Sequence, residues 1–329
     1  MAATGSGFWQ QALRWPKRQP ARVAPDAAQP PAPRFSMVAG RKIGNFALVR
    51  TVATSAMGEL HLASDHATGL PVALKTVRFQ GSDLTRERFL RESEAAARLN
   101  HPDIVRTYAA GIDDAGDSLL GWIAMEWVSG TDLTAHITKA TRLPDDLVLA
   151  IMARAADALV HAHAQGVVHR DLKPANLMFN QATDTVKITD FGCAHLTDGQ
   201  RSRSGLIVGT PAYMAPEQLS GGAIDGRCDL YALGVVLHQL LTGDLPFPHG
   251  SMGELLSAIA TAPPPPLGRL RPDLPPLLGD VLQRTMAKRP DDRHVDGAQL
   301  ARELRLLIPA CQSARRDEPA RTLHNARSS

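Results

Sequence analysis

The sequence predicts an α+β fold in which a small strand-rich lobe is followed by a larger helical one, with the junction near residues 126–130. Two patterns carry this. Before the junction, Leu60 and Leu62, and again Val72 and Leu74, alternate with polar neighbours at the period of a strand. After it, Leu147, Ile151, Ala155, Leu159 and Ala162 recur at helical spacing. No internal repeat interrupts the body of the chain, so a solenoid is excluded.

In chain order, residues 1–40 read as a disordered leader. Pro16, Pro20, Pro25, Pro30, Pro31 and Pro33 break it, and alanine and arginine fill the gaps. The lone aromatic pair Trp9 and Trp15 reads as incidental to that tail, with a short docking element as the alternative. Short strands follow, then a helix at about 84–99 whose apolar side is Phe89, Leu90, Ala96, Ala97 and Leu99. The next helix runs from Asp145 to Gln165. Asp145 and Asp146 suit its positive N-terminal end, and Gly166 closes it in the left-handed conformation. A buried helix spans about Asp229 to Leu241 and stops at Thr242-Gly243. From 308 to 329 the chain is polar, arginine-rich and without apolar period, and reads as a disordered tail.

With 329 residues there is room for one large domain or two lobes with proper cores, but not for several domains. Hydrophobic residues at 44% and charged residues at 21% are ordinary for a globular protein. A net charge of +3 is too small to point to nucleic acid. No run approaches the roughly eighteen apolar residues of a membrane span, so a soluble chain is expected. Cys193, Cys228 and Cys311 lie far apart, which excludes a zinc knuckle and a Cys-x-x-Cys. They read as free thiols, and a cytoplasmic location follows as the expectation. Residues 1–30 have no secretory apolar core, and their basic composition is not enough for a transit peptide.

The stretch that carries chemistry is His169-Arg170-Asp171-Leu172-Lys173-Pro174-Ala175-Asn176. Downstream lies Asp190-Phe191-Gly192, preceded by the alternating strand Thr185–Thr189, and upstream Val72-Ala73-Leu74-Lys75 sits on a strand. Together these residues resemble the signature set of the eukaryotic-like (Hanks-type) serine/threonine protein kinases, most closely their bacterial branch. The resemblance covers about residues 46–307 and implies the bilobal protein-kinase fold, an N-lobe over about 46–127 and a C-lobe over about 128–307. It further implies transfer of the ATP γ-phosphate to Ser/Thr hydroxyls of protein substrates, an EC 2.7.11.1-type activity with ATP and Mg²⁺ as cofactors. Self-association for trans-autophosphorylation is compatible with it.

The chemistry needs these residue types, because phosphoryl transfer is mostly positioning and charge neutralisation. By the resemblance, Lys75 reaches the α and β phosphates and pairs with Glu92. Glu94 is the competing partner, about 200° around the helix from Glu92. Asn176 and Asp190 are the expected Mg²⁺ ligands, hard oxygen donors of the kind that ion prefers. Asp171 is the expected base and Lys173 the cation beside the γ-phosphate. Small Ala73 leaves room for adenine, Leu60 and Met178 sandwich it, and backbone groups of Glu126 and Val128 bind its edge behind Met125. The Lys-Pro-x-Asn order and Gly209-Thr210-Pro211-Ala212-Tyr213 resemble the Ser/Thr class, with Thr210 expected to touch Asp171 and Lys173. Glu217 of Ala215-Pro216-Glu217 is expected to pair with Arg293, and Asp229 to tie the catalytic loop's backbone. Ser202 and Ser204 are candidate autophosphorylation sites.

One window departs from the family. Where Gly-x-Gly-x-x-Gly is expected beside Val52, the chain reads Ala53-Thr54-Ser55-Ala56-Met57-Gly58. Glycines there admit phosphates close to backbone N–H groups, so Ala53 and Ser55 predict weakened nucleotide binding. The alternative function is therefore a weakly active or pseudokinase nucleotide-binding scaffold. A small-molecule phosphotransferase shares the His-x-Asp…Asn loop but lacks the Ala-Pro-Glu segment.

Overall fold

The structure is a computed structural model that describes residues 13–14, 41–55, 58–79, 83–114, 119–191, 211–247 and 250–325. It divides into two compact units: Met1–Asn100 with Arg106–Val128, and His101–Val105 with Ser129–Ser329.

Among its described residues the first unit is a seven-stranded sheet and one helix. Its strands are β1 (Leu13–Arg14), β2 (Lys42–Ile43), β3 (Phe46–Ser55), β4 (Gly58–Asp65), β5 (Pro71–Phe79), β6 (Thr107–Asp114) and β7 (Leu119–Glu126). They lie in the order β1-β6-β7-β5-β4-β3-β2, and all neighbours are antiparallel. Alternation along β5 explains both its faces. Val72 and Leu74 enter a core with Phe46, Ala63, Leu120 and Trp122, while Ala73 and Lys75 take the opposite side. Helix α1 (Asp83–Arg98) matches the expected 84–99; Phe89, Ala96 and Leu99 are buried, and Leu90 and Ala97 are half-buried. Of the leader, only Leu13 and Arg14 are described, paired with Ala110 and Ala109 of β6; its other residues lie outside the described ones.

The second unit holds α2 (Asp145–Ala164), α3 (Pro216–Ser220), α4 (Arg227–Thr242), α5 (Met252–Thr261), α6 (Leu267–Leu270), α7 (Pro276–Thr285) and α8 (Gly297–Asn325). A small sheet in the order β10-β9-β8 accompanies them, made of β8 (Thr131–Asp132), β9 (Leu177–Asn180) and β10 (Thr185–Ile188). The segment 101–105 belongs here although its chain neighbours belong to the first unit. Val105 N–H donates to Ile188 O at 2.9 Å and Ile188 N–H to Asp103 O at 2.8 Å. Arg154 of α2 holds the Asp103 carboxylate.

Helix α2 is buried more widely than the periodicity implies. Ile151, Ala155, Leu159 and Ala162 are inside as expected, but so are Val148, Leu149, Met152, Ala153, Ala156 and Ala158, while Leu147 is only half-buried. By length and composition α2 could cross a membrane, against the sequence expectation that no run comes close; its burial in the unit's core accounts for that composition. Gly166, at φ 72°, closes it, with Val167 N–H returning to Ala162 O at 2.9 Å. In α4 every residue from Cys228 to Leu241 is buried, and Gly243 at φ 92° ends it. Helix α8 runs to Asn325, past residue 307, where the apolar period stops. Alanine, arginine and glutamine there have high intrinsic helix propensity, which needs no apolar stripe.

Four histidines, His61, His101, His238 and His294, are held below their ordinary 6.5 because burial disfavours the charged ring. The unfolded chain then binds more protons than the folded one below that value, so stability falls with falling pH. The denaturant midpoint is expected to drop between about pH 7 and about pH 5; a midpoint that rises over this range contradicts the burial effect.

Candidate active site

The loop 169–176 is fixed by groups from other parts of the chain. Asp229 of α4 is fully buried and accepts from His169 N–H at 2.8 Å, Arg170 N–H at 2.7 Å and the His163 ring Nε2 at 2.8 Å. Burial alone would raise the Asp229 carboxyl, but the His163 bond, the His169 and His163 rings and the backbone bond from Arg170 hold it below the usual carboxylate range. The His169 ring accepts from Asp171 N–H at its Nδ1, 3.3 Å away, so its Nε2–H donates to Thr189 O at 2.8 Å. Phe191 packs its ring against His169 with centroids 4.7 Å apart.

This frame presents three functional side chains. Lys173 Nζ lies 2.7 Å from Asp171 Oδ2. Their side chains are 38% and 43% exposed, so the pair stabilises the fold by only about 0–1 kcal/mol; what it does is place a cation beside a carboxylate. Asn176 is buried and its Nδ2 donates to Asp171 O at 2.8 Å, which leaves its oxygen as the atom available to a cation. The β9–β10 register pairs Leu177 with Ile188, so Asn176 lies across from Thr189, whose N–H donates to Asn176 O at 2.9 Å. Asp190 follows at once, in the left-handed region at φ 65°. The two expected metal ligands thus flank one end of one hairpin. Among the described residues no group of three or more His, Cys, Asp or Glu could hold a metal by itself. A pair of hard oxygen donors fits Mg²⁺, which takes one or two protein ligands and completes its shell with phosphate and water.

The first unit carries the other set. Ala53, Ser55, Gly58, Leu60 and Lys75 line one small hollow. Ala53 pairs with Leu60, Thr54 with Glu59 and Ser55 with Gly58 in a regular hairpin, closed by Ser55 Oγ donating to Gly58 O at 3.0 Å. Gly58 has a reason of its own: a Cβ there would lie against the Thr76 carbonyl oxygen, so the hairpin needs glycine whatever it binds. Val52 is exposed. Ala73 pairs across β7 with Met125, and Lys75 with Ile123. On α1, Glu94 pairs with Arg98 at 3.3 Å, and Glu92 buries its Oε2. Glu126 N–H donates to Arg106 O at 2.8 Å, so any contact it makes to an adenine edge has to use its carbonyl. Val128 is half-buried. In the second unit Met178 is half-buried on β9, on the face away from buried Leu177 and Phe179. Replacing both Ala53 and Ser55 by glycine is expected to lower the KM for ATP about fivefold, the equivalent of roughly 1 kcal/mol. An unchanged KM in initial-rate measurements defeats the stiff-loop expectation.

Glu217 and Arg293 form the expected pair, bidentate at 2.6 and 2.8 Å. Gly192, Ser202, Ser204, Gly209 and Thr210 lie outside the described residues. Sequence reasoning missed His163 and Gln218. His163 supports Asp229, and Gln218 donates to Arg170 O at 2.9 Å. No local pattern marks His163, which reads as one more polar position on a helix; Gln218 stands next to Ala-Pro-Glu, a signal of place but not of role.

A frame of this kind, with aspartate, lysine and asparagine on one loop and a left-handed aspartate after a hairpin, defines a class. The protein kinase domain profile matches residues 46–297, and the chain belongs to the protein kinase family. Its α+β class and protein-kinase fold are those the sequence predicts. Within the family it sits with the bacterial Hanks-type serine/threonine kinases. It is 37% identical over 279 residues to the serine/threonine-protein kinase Pkn1 of Myxococcus xanthus, covering 82% of this chain and 39% of that protein. It is 36% identical over 256 residues to PknB of Mycolicibacterium smegmatis, covering 75% of this chain and 40% of that one. The chain therefore spans about two fifths of the length of these curated relatives. Among solved structures, the PknI kinase domain of Mycobacterium tuberculosis is 33% identical, with a TM-score of 0.66 over 83% of this chain and 100% of that one.

Proposed function

We propose that this chain transfers the γ-phosphoryl group of ATP to serine and threonine hydroxyls of proteins. The protein kinase family uses ATP and Mg²⁺, and the residues for both are present here. The observation that carries the reading is the Asp171–Lys173–Asn176 set, held through Asp229 and His169 in a form that serves proton acceptance and charge placement rather than stability.

Asp171 accepts the proton of the substrate hydroxyl as that oxygen bonds to phosphorus and the bond to the ADP oxygen breaks. Lys173 offsets charge on the transferred group, and Lys75, positioned by Glu92, that on the remaining phosphates. Asn176 and Asp190 would hold Mg²⁺, which supplies neutralisation of phosphate charge when bound. Ala73, Leu60, Met178, Val52 and the backbone of Glu126 and Val128 would receive the adenine and ribose. The test is incorporation of label from γ-labelled ATP into a serine- and threonine-rich acceptor protein with Mg²⁺, compared with Asp171→Asn. Acid-stable label on serine or threonine that depends on Asp171 is the expected result; equal label in both proteins overturns the reading.

A further inference from the structure

We propose that Gln218 is a positioning residue for Asp171. The proposal rests on the kinase reading for its link to activity, but not for its geometry. The peptide group that joins Arg170 to Asp171 sets where the Asp171 side chain starts. Arg170 stands in the left-handed region at φ 66°, a conformation that non-glycine residues hold only when neighbours enforce it. Its N–H is enforced by Asp229 Oδ1 at 2.7 Å. The peptide beyond it is held at both ends: its N–H, that of Asp171, donates to His169 Nδ1 at 3.3 Å, and its oxygen, that of Arg170, accepts from Gln218 Nε2 at 2.9 Å. The Gln218 bond is the shorter of the two. Without it the plane of this peptide depends on one long bond.

The other half of the Gln218 amide is also assigned. Its Oε1 accepts from Ala215 N–H at 3.0 Å, so the two partners, one donor and one acceptor, fix the orientation of the amide without ambiguity. Gln218 sits on α3 next to Glu217, which the Arg293 fork holds from the other side. The side chain is therefore a strut between the anchored Ala-Pro-Glu turn and the peptide that carries Asp171. A residue that only completes the start of α3 would need the oxygen; holding the peptide needs the NH₂ group.

Gln218→Glu separates these roles, because a carboxylate still accepts from Ala215 N–H but cannot donate to Arg170 O. The expected result is a kcat lowered by about 10- to 100-fold, as for a misplaced catalytic group, with the KM for ATP within about twofold. Gln218→Leu is expected to lose at least as much. Hydrogen exchange supplies a readout that needs no phosphotransfer. The Asp171 amide is expected to exchange faster in Gln218→Glu, while the His169 and Arg170 amides, held by Asp229, stay protected and report an intact fold. Native exchange at Asp171 in Gln218→Glu overturns the proposal, as does native kcat in that variant with loss only in Gln218→Leu. If the native chain transfers no phosphate the kinase reading falls, and the exchange experiment alone then decides for or against the strut.

Discussion

Asp171→Asn is expected to lower the rate of phosphate transfer by roughly 10²- to 10⁴-fold, the usual contribution of a positioned general base. The substitution is nearly isosteric, and the bonds that shape the loop survive it. Asp171 N–H to His169 and Asp171 O from Asn176 are backbone contacts, and an asparagine oxygen can still accept from Lys173. What disappears is the ability to take a proton. The half-exposed carboxylate adds little to stability, so the unfolding midpoint is expected to stay within about 1 kcal/mol of native. Initial rates with labelled ATP and a denaturant titration on the same preparation check both halves. Loss of activity together with loss of fold would make Asp171 a scaffold residue instead.

Arg293→Ala is expected to be the most damaging single change to stability, at about 3–5 kcal/mol. The Arg293 side chain is fully buried, and each of its N–H donors has an acceptor. Nε–H goes to Ala287 O at 2.8 Å. The Nη atoms reach both Glu217 oxygens at 2.6 and 2.8 Å, Arg227 O at 3.0 Å and Lys288 O at 3.2 Å. The guanidinium also lies over the Tyr231 ring, 5.0 Å from its centroid. Removing it strands the Glu217 carboxylate and three carbonyls away from water. Arg293→Lys does not rescue, since an ammonium cannot supply the planar fork. Urea unfolding measures the effect, and the double variant with Glu217→Ala is expected to cost less than the sum of the single ones. A loss below about 1 kcal/mol for Arg293→Ala would show that the pair is dispensable.

By itself the sequence determined what local order and periodicity can specify. The strand alternation at Val72–Lys75, the helices beginning at Asp83, Asp145 and Arg227, and the closing glycines Gly166 and Gly243 are properties of neighbouring residues. So is the loop from Asp171 to Asn176, where Lys173 reaches the Asp171 carboxylate across two positions and Asn176 the Asp171 carbonyl across five. The family resemblance already implied the Asp229 tie and the Glu217–Arg293 pair; the tertiary structure alone supplied the atoms that make them and added Gln218 and His163. Asp229 reaches Arg170 across 59 positions, Gln218 reaches the same residue across 48, and Arg293 meets Glu217 across 76. It also decided that α2 is buried on most sides, and that a Cβ at Gly58 would meet the Thr76 carbonyl oxygen. The physical reason is one of range: backbone propensity and side-chain period act within a few residues, whereas a buried charge is stabilised by whatever group the packed chain brings to it, and no spacing in the sequence encodes that distance.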